Sequence, residues 1–408
     1  MSITLSHSNE NIKGEIHLTS SKSESNRALI IQALCEERFD IENLSISNDT
    51  LVLKQLLGSK EKELSVNLAG TAMRFLTAYL SIQDKEVVLT GAQRMKERPI
   101  KVLVDVLKQM GADISYEEAE GFPPLKICGT RLLGEKVTID GGISSQYISA
   151  LLMIAPKLDN GLTIDFDGEI ISKPYINMTI EMLRHFGVDV SWEGNSITVS
   201  SGDFISRNFK VEADWSAASY WYGIAALAKD ADITLYGLKK KSLQGDAIVQ
   251  EIYKNFGVET EIIKGGIRLT KNSEFKIQSS ELKVDFVNCP DIAQTVAVTC
   301  AALNIKAKLT GLKTLRIKET DRITALQTEL AKLGFSVDVE GDDILIHAVN
   351  SVSSIYNKPV KTYDDHRMAM AFAPLVFHSS IVIEDEAVVG KSYPNFWKDL
   401  ESVGFEVS

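Results

Sequence analysis

The sequence is poor in cysteine and in the histidine spacings that bind metals. Its 408 residues include four cysteines, which form no CxxC pair, and six histidines, which form no HExxH or HxxxH motif. A small disulfide framework and a helical zinc site are therefore unsupported. We expect a reducing compartment, the cytoplasm, and no catalytic metal.

Long apolar runs and a basic excess are also missing. No run reaches the roughly 18 apolar residues that a membrane span needs, and residues 1–19 lack the basic start and apolar core of a secretory signal. Lys and Arg number 44 against 55 Asp and Glu, a net charge of −11, which argues against a broad surface for duplex nucleic acid. We expect a monomer without membrane or nucleic-acid partners, in which any anion is bound locally.

Nucleotide motifs are absent as well, and what remains is an ordinary globular composition. No GxxxxGK[ST] loop and no GxGxxG after a predicted strand occurs, so nucleotide hydrolysis and dinucleotide binding have little support. Hydrophobic residues make up 44% and charged residues 24% of the chain. At roughly 150 residues per domain, the length predicts two or three domains.

A phrase in which a glycine separates a helix-like stretch from a β-rich one recurs at intervals of roughly 70 residues. Glycine at such a position is typical of a helix C-terminus, where a positive φ is needed. The glycines concerned are Gly111, Gly187, Gly257, Gly334 and Gly404, with Gly58 as a shortened sixth copy.

Six polar segments that lead into apolar helices run in phase with these glycines. The segments begin near Ser21, Gly70, Ser144, Asp214, Pro290 and Asp365. Six copies of one α/β unit explain the pattern, although ordinary α/β punctuation is the alternative. Grouping by threes predicts one domain over residues 21–237 and another over 1–20 plus 238–408. Each helix start exposes unpaired N–H groups, so converging starts can bind an anion without a basic surface.

Basic residues are enriched at these starts. Lys22, Ser23 and Arg27 open the first helix, with Ser23 and Arg27 on one face, and a solvated helix start is the alternative. In the loop of residues 93–99, Pro99 would fix the chain direction just after Arg98. We therefore expect Arg98, of the three cations in that loop, to face a ligand.

Two acidic residues stand among cations in the second half of the chain. Glu319 lies between Lys318 and Arg322, so cations would keep it ionised as a candidate proton-transfer group. Asp291 heads an otherwise apolar helix, where it is either a base or an N-cap. Arg367 and Lys391 add further positive charge near the C-terminus. The pattern suggests small polyanionic substrates.

Seven segments, in this order, resemble the 5-enolpyruvylshikimate-3-phosphate synthase family. They are SKSESNRAL (residues 21–29), LAGTAMR (68–74), RMKERP (94–99), SSQ (144–146), SKPY (172–175), KETDR (318–322) and DHRMAM (365–370). The resemblance implies an α/β fold of two similar domains, each of three repeated α/β units arranged as an inside-out barrel, with the active site in the cleft between them. It also implies transfer of the enolpyruvyl group of phosphoenolpyruvate to the 5-hydroxyl of shikimate 3-phosphate, without a cofactor.

The resemblance assigns residue roles. Asp291 would accept the 5-hydroxyl proton, and Glu319 with Lys22 would protonate and later deprotonate the enol carbon. The implied shikimate 3-phosphate contacts are Ser23, Arg27, Ser144, Ser145, Gln146, Ser172, Tyr175 and Lys318. The implied phosphoenolpyruvate contacts are Lys22, Gly70, Arg98, Gln146, Arg322, Arg367 and Lys391. Gly70 would also admit glyphosate, which competes with phosphoenolpyruvate in family members that have this glycine.

Two positions depart from the family pattern, and two other functions stay open. Leu68 and Thr314 each stand where the family often has Asn, so we expect the loss of an amide at these positions to alter substrate affinity. UDP-N-acetylglucosamine enolpyruvyl transferase shares the architecture, but it usually carries a cysteine in the loop corresponding to residues 93–99, where this chain has none. A non-catalytic anion-binding scaffold would not need both Asp291 and Glu319.

Overall fold

The computed structural model describes residues 1–134, 136–271, 274–275, 281–349 and 358–408. The chain forms two compact units, which we call the middle unit, Ser21–Val211, and the terminal unit, Met1–Ser20 with Glu212–Ser408. From the sequence repeat, we predict that the second boundary between the domains lies further along the chain, near Gly237. In the structure, the strand Asp230–Tyr236 pairs in parallel with Asn11–His17 along its full length, and this pairing includes the segment before Gly237 in the terminal unit.

Each unit contains three buried helices that begin at the predicted polar segments. In the middle unit these are Lys22–Leu34, Gly70–Ser81 and Ser145–Ile154. In the terminal unit they are Trp215–Leu227, Ala293–Ala302, which follows a 3-10 turn at Pro290–Ile292, and His366–Phe372. All ten residues of Ala293–Ala302 are buried, as expected for a helix without a polar face. The six predicted helix starts are confirmed.

The remaining helices cover the outside of the repeats or connect them. In the middle unit they are Asn48–Leu57, Gln93–Lys96, Lys101–Gln109, Ala155–Lys157 and Lys173–His185. In the terminal unit they are Gly245–Ile248, Val249–Tyr253, Lys254–Phe256, Lys313–Ile317, Arg322–Lys332, Ala373–Phe377, Glu386–Lys391 and Phe396–Ser402. Among the described residues, no helix combines the length and hydrophobicity that a bilayer crossing requires.

Four sheets share one strand order, in which two parallel strands are followed by an antiparallel hairpin. In the middle unit, the first sheet has the order Glu63–Ser65, Glu86–Thr90, Leu125–Cys128, Asp113–Tyr116. The second sheet has the order Lys136–Asp140, Leu162–Asp167, Ser196–Val199, Val190–Glu193. In the terminal unit, one sheet has the order Asn11–His17, Asp230–Tyr236, Gly266–Lys271, Val258–Ile263. The other has the order Leu282–Asp285, Ala307–Thr310, Asp343–His347, Ser336–Glu340. The shared order confirms a structural repeat.

Two smaller sheets complete the set. Ile381–Glu384 pairs with Ser2–Ser6, which pairs in turn with Glu406–Val407, and Val360 adds a single parallel bridge to this sheet. This arrangement reproduces the common order, with the N-terminal strand inside it. The other small sheet consists of Phe209–Lys210 parallel to Ile41–Glu42.

The helix-ending glycines differ in one respect from the sequence expectation. The five full copies have positive φ: Gly111 +102°, Gly187 +83°, Gly257 +79°, Gly334 +92° and Gly404 +99°. Gly58 instead has φ −90° and ψ −3°, a right-handed conformation open to any residue. The prediction is therefore wrong for Gly58, because the shortened copy ends its helix without a left-handed residue.

Candidate active site

In the middle unit, Gly70 lies at a helix start that no side chain caps. The helix Gly70–Ser81 follows Ala69, which makes no side-chain cap, so its first N–H groups and the positive end of its dipole are available to an anion. A Cβ added to Gly70 would lie 2.6 Å from Nη1 of Arg98 and 3.0 Å from Nη1 of Arg74. Two buried guanidinium groups therefore stand directly against the helix start.

The loop that carries Arg98 is fixed by its neighbours. The Pro99 carbonyl accepts hydrogen bonds from Nη2 of Arg74 at 3.4 Å and from the hydroxyl of Tyr147. Arg74 also donates from Nη1 to the Gly70 carbonyl at 3.0 Å. Arg74 thus ties the loop to the helix start, a role that its position in the sequence did not reveal.

The three cations of the loop have different surroundings. Arg94 pairs with Glu97 at 3.2 Å and Lys96 pairs with Glu118 at 2.5 Å, and all four of these side chains are at least a quarter exposed. Arg98 is only 8% exposed, and its Nε is buried without a hydrogen-bond acceptor among the described residues. Of the three, Arg98 has the donor geometry that a bound anion would complete.

Arg27 is buried among neutral acceptors. It donates from Nε to the Thr179 hydroxyl at 2.7 Å, from Nη1 to the Ser23 carbonyl at 2.9 Å, and from Nη2 to the Ser149 hydroxyl at 2.9 Å and the Tyr175 carbonyl at 3.1 Å. Burial lowers the pKa of Arg27 to about 10, so the group stays charged at neutral pH. Four of its five N–H groups therefore organise the segments that carry Ser23 and Tyr175.

Two other predicted segments of this unit are helix starts. Ser144 caps the helix Ser145–Ile154 by accepting from the Gln146 N–H at 3.3 Å, and the Gln146 side chain donates to the Thr71 hydroxyl at 3.2 Å. Ser172 precedes the helix Lys173–His185 with φ +53°, a left-handed conformation that costs a serine free energy. Such backbone strain is common at functional sites.

Lys22, at the start of the first helix, pairs with a carboxylate that the sequence analysis did not select. Its Nζ lies 3.3 Å from Oδ2 of Asp49, whose side chain is 7% exposed. Asp49 stands in the first turn of Asn48–Leu57, where a carboxylate is also favoured by the helix dipole. The contact connects the first two helices of the chain.

In the terminal unit, Arg322 stands at the centre of an ion-pair network. Its side chain is 2% exposed and contacts three carboxylates: Asp365 at 2.6 Å, Glu319 at 2.8 Å and Asp291 at 3.3 Å. Burial alone would lower the pKa of Arg322, but Asp365 and Glu319 raise it overall. Asp365 also caps the helix His366–Phe372, so one member of the ion-pair network is the N-cap of a helix.

The other cations of this unit surround the same two candidate bases. Arg367 donates from Nη2 to Oδ2 of Asp291 at 2.9 Å and from Nη1 to its carbonyl at 2.9 Å. Lys318 lies 3.6 Å from Oδ1 of Asp291, and Lys391 lies 3.0 Å from Oε1 of Glu319. Burial lowers the pKa of Lys318, against the opposing effect of Asp291. Every predicted site residue of the terminal unit thus belongs to one network.

Several members of this network were not selected from the sequence. Asp365 was seen only as part of a motif, and Ser216, Tyr220 and Asp246 were not singled out. Ser216 and Asp246 are 30 residues apart and hydrogen-bonded. The signal that could have indicated Ser216 is its position in the first turn of the helix Trp215–Leu227, and Asp246 directly follows Gly245.

Comparison with known proteins shows the family of the chain. A family model described as EPSP synthase (3-phosphoshikimate 1-carboxyvinyltransferase) matches residues 7–61 and 53–400. A 3-phosphoshikimate 1-carboxyvinyltransferase of Bacteroides fragilis (strain YCH46) is 49% identical over 398 residues, which cover 97% of this chain and 96% of the relative. One from Sulfurovum sp. (strain NBC37-1) is 38% identical over 422 residues, covering 96% and 97%.

A solved structure shows the same fold. The EPSP synthase from Acinetobacter baumannii superposes with a TM-score of 0.78 at 24% sequence identity, covering 100% of this chain and 99% of that one. At this identity the likeness concerns the fold alone.

Proposed function

The chain belongs to the EPSP synthase (3-phosphoshikimate 1-carboxyvinyltransferase) family, and we propose that it transfers the carboxyvinyl group of phosphoenolpyruvate to the 5-hydroxyl of shikimate 3-phosphate. The products are 5-enolpyruvylshikimate 3-phosphate and inorganic phosphate. The observation that carries the proposal is the pair of carboxylates, Asp291 and Glu319, bound to one buried arginine and flanked by three further cations.

The two carboxylates have separate roles in the proposed addition and elimination. Asp291 takes the proton from the 5-hydroxyl as its oxygen attacks C2 of phosphoenolpyruvate, and Glu319, with Lys22, delivers a proton to C3. In the second step Glu319 takes a proton back from C3 and phosphate leaves C2, which restores the double bond. The cations around Asp291 favour the ionised form that accepts a proton, and substrate anions that compete for the cations around Glu319 favour the protonated form that donates one.

The middle unit supplies anion-binding groups of a different type. We assign Lys22, Gly70, Arg98 and Gln146 to phosphoenolpyruvate, because Gly70 and Arg98 combine a free helix start with an unsatisfied guanidinium Nε. We assign Ser23, Arg27, Ser144, Ser145, Gln146, Ser172 and Tyr175 to shikimate 3-phosphate. Neutral hydroxyls and amides suit its hydroxyl groups, and the serine-capped helix Ser145–Ile154 suits its phosphate.

In the terminal unit we assign Arg322, Arg367 and Lys391 to phosphoenolpyruvate and Lys318 to shikimate 3-phosphate. Both substrates are anions that repel each other in water. Fixed cations at low dielectric reverse that repulsion. Positioned proton transfer typically contributes about 10²- to 10⁴-fold, and orientation and electrostatics supply the rest. We further propose that the enzyme acts as a cytoplasmic monomer without a cofactor, independently of nucleic acids and membranes.

The acceptor is tested directly by release of phosphate from phosphoenolpyruvate. We expect release with shikimate 3-phosphate and none with UDP-N-acetylglucosamine. The names of the relatives favour the first acceptor. Release with the second acceptor only would refute the proposal, and release with neither would favour a non-catalytic anion-binding scaffold.

A further inference from the structure

A buried carboxylate, that of Asp246, interacts electrostatically with Asp291. Asp246, on the 3-10 turn Gly245–Ile248, is 4% exposed, and its Oδ2 accepts a hydrogen bond from the hydroxyl of Ser216. Burial, followed by the charge of Asp291, raises the pKa of Asp246. A carboxylate at this depth costs folding free energy, which the hydrogen bond from Ser216 partly offsets.

The Ser216 hydroxyl joins Asp246 to Arg367. A hydroxyl has one hydrogen, and here that hydrogen points to Asp246, so its lone pairs can accept. Nη2 of Arg367 lies 3.4 Å from this oxygen and 2.9 Å from Oδ2 of Asp291. The two hydrogens of Nη2 are therefore divided between Ser216 and Asp291.

The segment that carries Asp246 is anchored to the helix that carries Ser216. Gln244 accepts from the Trp215 N–H at 2.9 Å and donates to the Ala213 carbonyl at 2.7 Å. Glu212, which is 1% exposed, accepts from the Trp215 indole at 2.8 Å and from the Ser242 hydroxyl at 2.7 Å. These bonds fix the distance between Asp246 and Ser216, independently of the network around Arg322.

We propose that Asp246 is a positioning residue for the reaction, which holds the Ser216 hydroxyl as an acceptor and thereby orients Arg367 toward Asp291. The inference rests on the proposed function, since it assigns the effect to a phosphoenolpyruvate contact. On this proposal Asp246 acts through Ser216 rather than by contact with a substrate.

The test is a double-mutant cycle read in steady-state kinetics. Asp246→Ala and Ser216→Ala should each raise the KM for phosphoenolpyruvate about 10-fold, the scale of one hydrogen bond to a charged group, and leave the KM for shikimate 3-phosphate within about twofold. The double variant should be no worse than either single one within about twofold, because both changes break the same connection.

Conservative variants and a control separate the connection from a general loss of structure. Asp246→Asn retains a carbonyl acceptor and Ser216→Thr retains a hydroxyl, so both should stay within about threefold of the parent. Asp232→Asn removes an exposed carboxylate that pairs with Arg268 at 2.7 Å in the same unit and should leave both KM values unchanged.

Three results would overturn the inference. In the Ser216→Ala background, a further loss on changing Asp246 would show a direct effect of its charge. An Asn variant as impaired as the Ala variant would show the same. Equal increases in both KM values would indicate a structural role. If Asp246→Ala does not fold, the contrast between Ser216→Ala and Ser216→Thr decides. A parent without phosphate release would instead refute the proposed function.

Discussion

The buried arginines of the two units have different hydrogen-bond acceptors. In the middle unit, Arg27 and Arg74 donate chiefly to hydroxyls and backbone carbonyls. In the terminal unit, Arg322 and Arg367 donate to carboxylates. A guanidinium with neutral acceptors keeps its full positive charge available to a ligand, whereas one paired with carboxylates sets the ionisation of those carboxylates.

The pKa values follow the same division. Burial lowers the pKa of Arg27 to about 10, whereas carboxylates raise that of Arg322 despite its burial. The difference indicates that the buried arginines of the middle unit leave positive charge for a ligand, whereas those of the terminal unit contact the two candidate bases, Asp291 and Glu319. Each of the following predictions tests one side of that division.

The largest effect is expected at the proton-transfer group. Glu319→Gln keeps the shape of the side chain but removes its charge, so kcat should fall about 10²- to 10⁴-fold while both KM values change only a few-fold. Glu251→Gln, at an exposed pair with Lys254, is the matched control. A Glu319→Gln variant with kcat within a few-fold of the parent would show that the terminal unit does not perform the proton transfer.

The next effect concerns the stability of the middle unit. Arg27→Met removes the donor of four hydrogen bonds, to the hydroxyls of Thr179 and Ser149 and to the carbonyls of Ser23 and Tyr175, so the free energy of unfolding should fall by about 2–4 kcal/mol. Urea titration measures the loss. Arg131→Met changes an arginine that is 83% exposed and should cost almost nothing. Equal stability of the two variants would contradict the organising role of Arg27.

A smaller effect is expected at the anion site of the middle unit. The Cβ of Gly70→Ala would meet Arg98 at 2.6 Å, a crowding that commonly costs about 1–3 kcal/mol. Glyphosate is longer than phosphoenolpyruvate, so its inhibition constant should rise by a larger factor than the KM, up to about one or two powers of ten.

Gly58→Ala is the control for this substitution, because Gly58 has a right-handed conformation and its added Cβ would make only an ordinary contact at 3.7 Å. Equal factors for glyphosate and phosphoenolpyruvate, or no competition between them in the parent, would show that Gly70 does not line the anion site.

A further effect is a dependence of stability on pH. Since the pKa of Asp246 is raised from 3.8 to about 7, the folded state binds more protons than the unfolded state between these values. The stability contributed by this group is therefore present below about pH 4 and lost as the pH rises through about 7. Asp246→Asn should gain stability relative to the parent between pH 5 and pH 8, as measured by urea titration. A constant difference would contradict the shift.

The fold was predictable because its signals are local. Short continuous stretches of sequence show both the polar starts that precede apolar helices and the glycines that end helices. The structure confirms the six starts and five of the six glycines. The position of the strand Asp230–Tyr236 was not predictable in this way, because it depends on pairing with Asn11–His17, and register between distant strands leaves no local trace.

The candidate site was predictable only in part. Glu319 and Arg322 lie three residues apart at the start of one helix, so their contact could be predicted from the sequence. Asp246 needs the tertiary structure, because its burial and its Ser216 partner arise from a turn packed against a separate helix. The partners of Arg27 likewise come from two distant helices.

The interleaving of the two chain ends has a consequence for synthesis on the ribosome. The middle unit is complete once residue 211 has emerged, whereas the strands Ser2–Ser6 and Asn11–His17 must wait for partners made much later. In the nascent chain these two strands therefore stay unpaired after the middle unit can fold. Unpaired strands can pair with other chains and cause aggregation. Lys13 and Glu15, exposed on alternate positions of the second strand, place charge along that edge and disfavour pairing between neighbouring nascent chains.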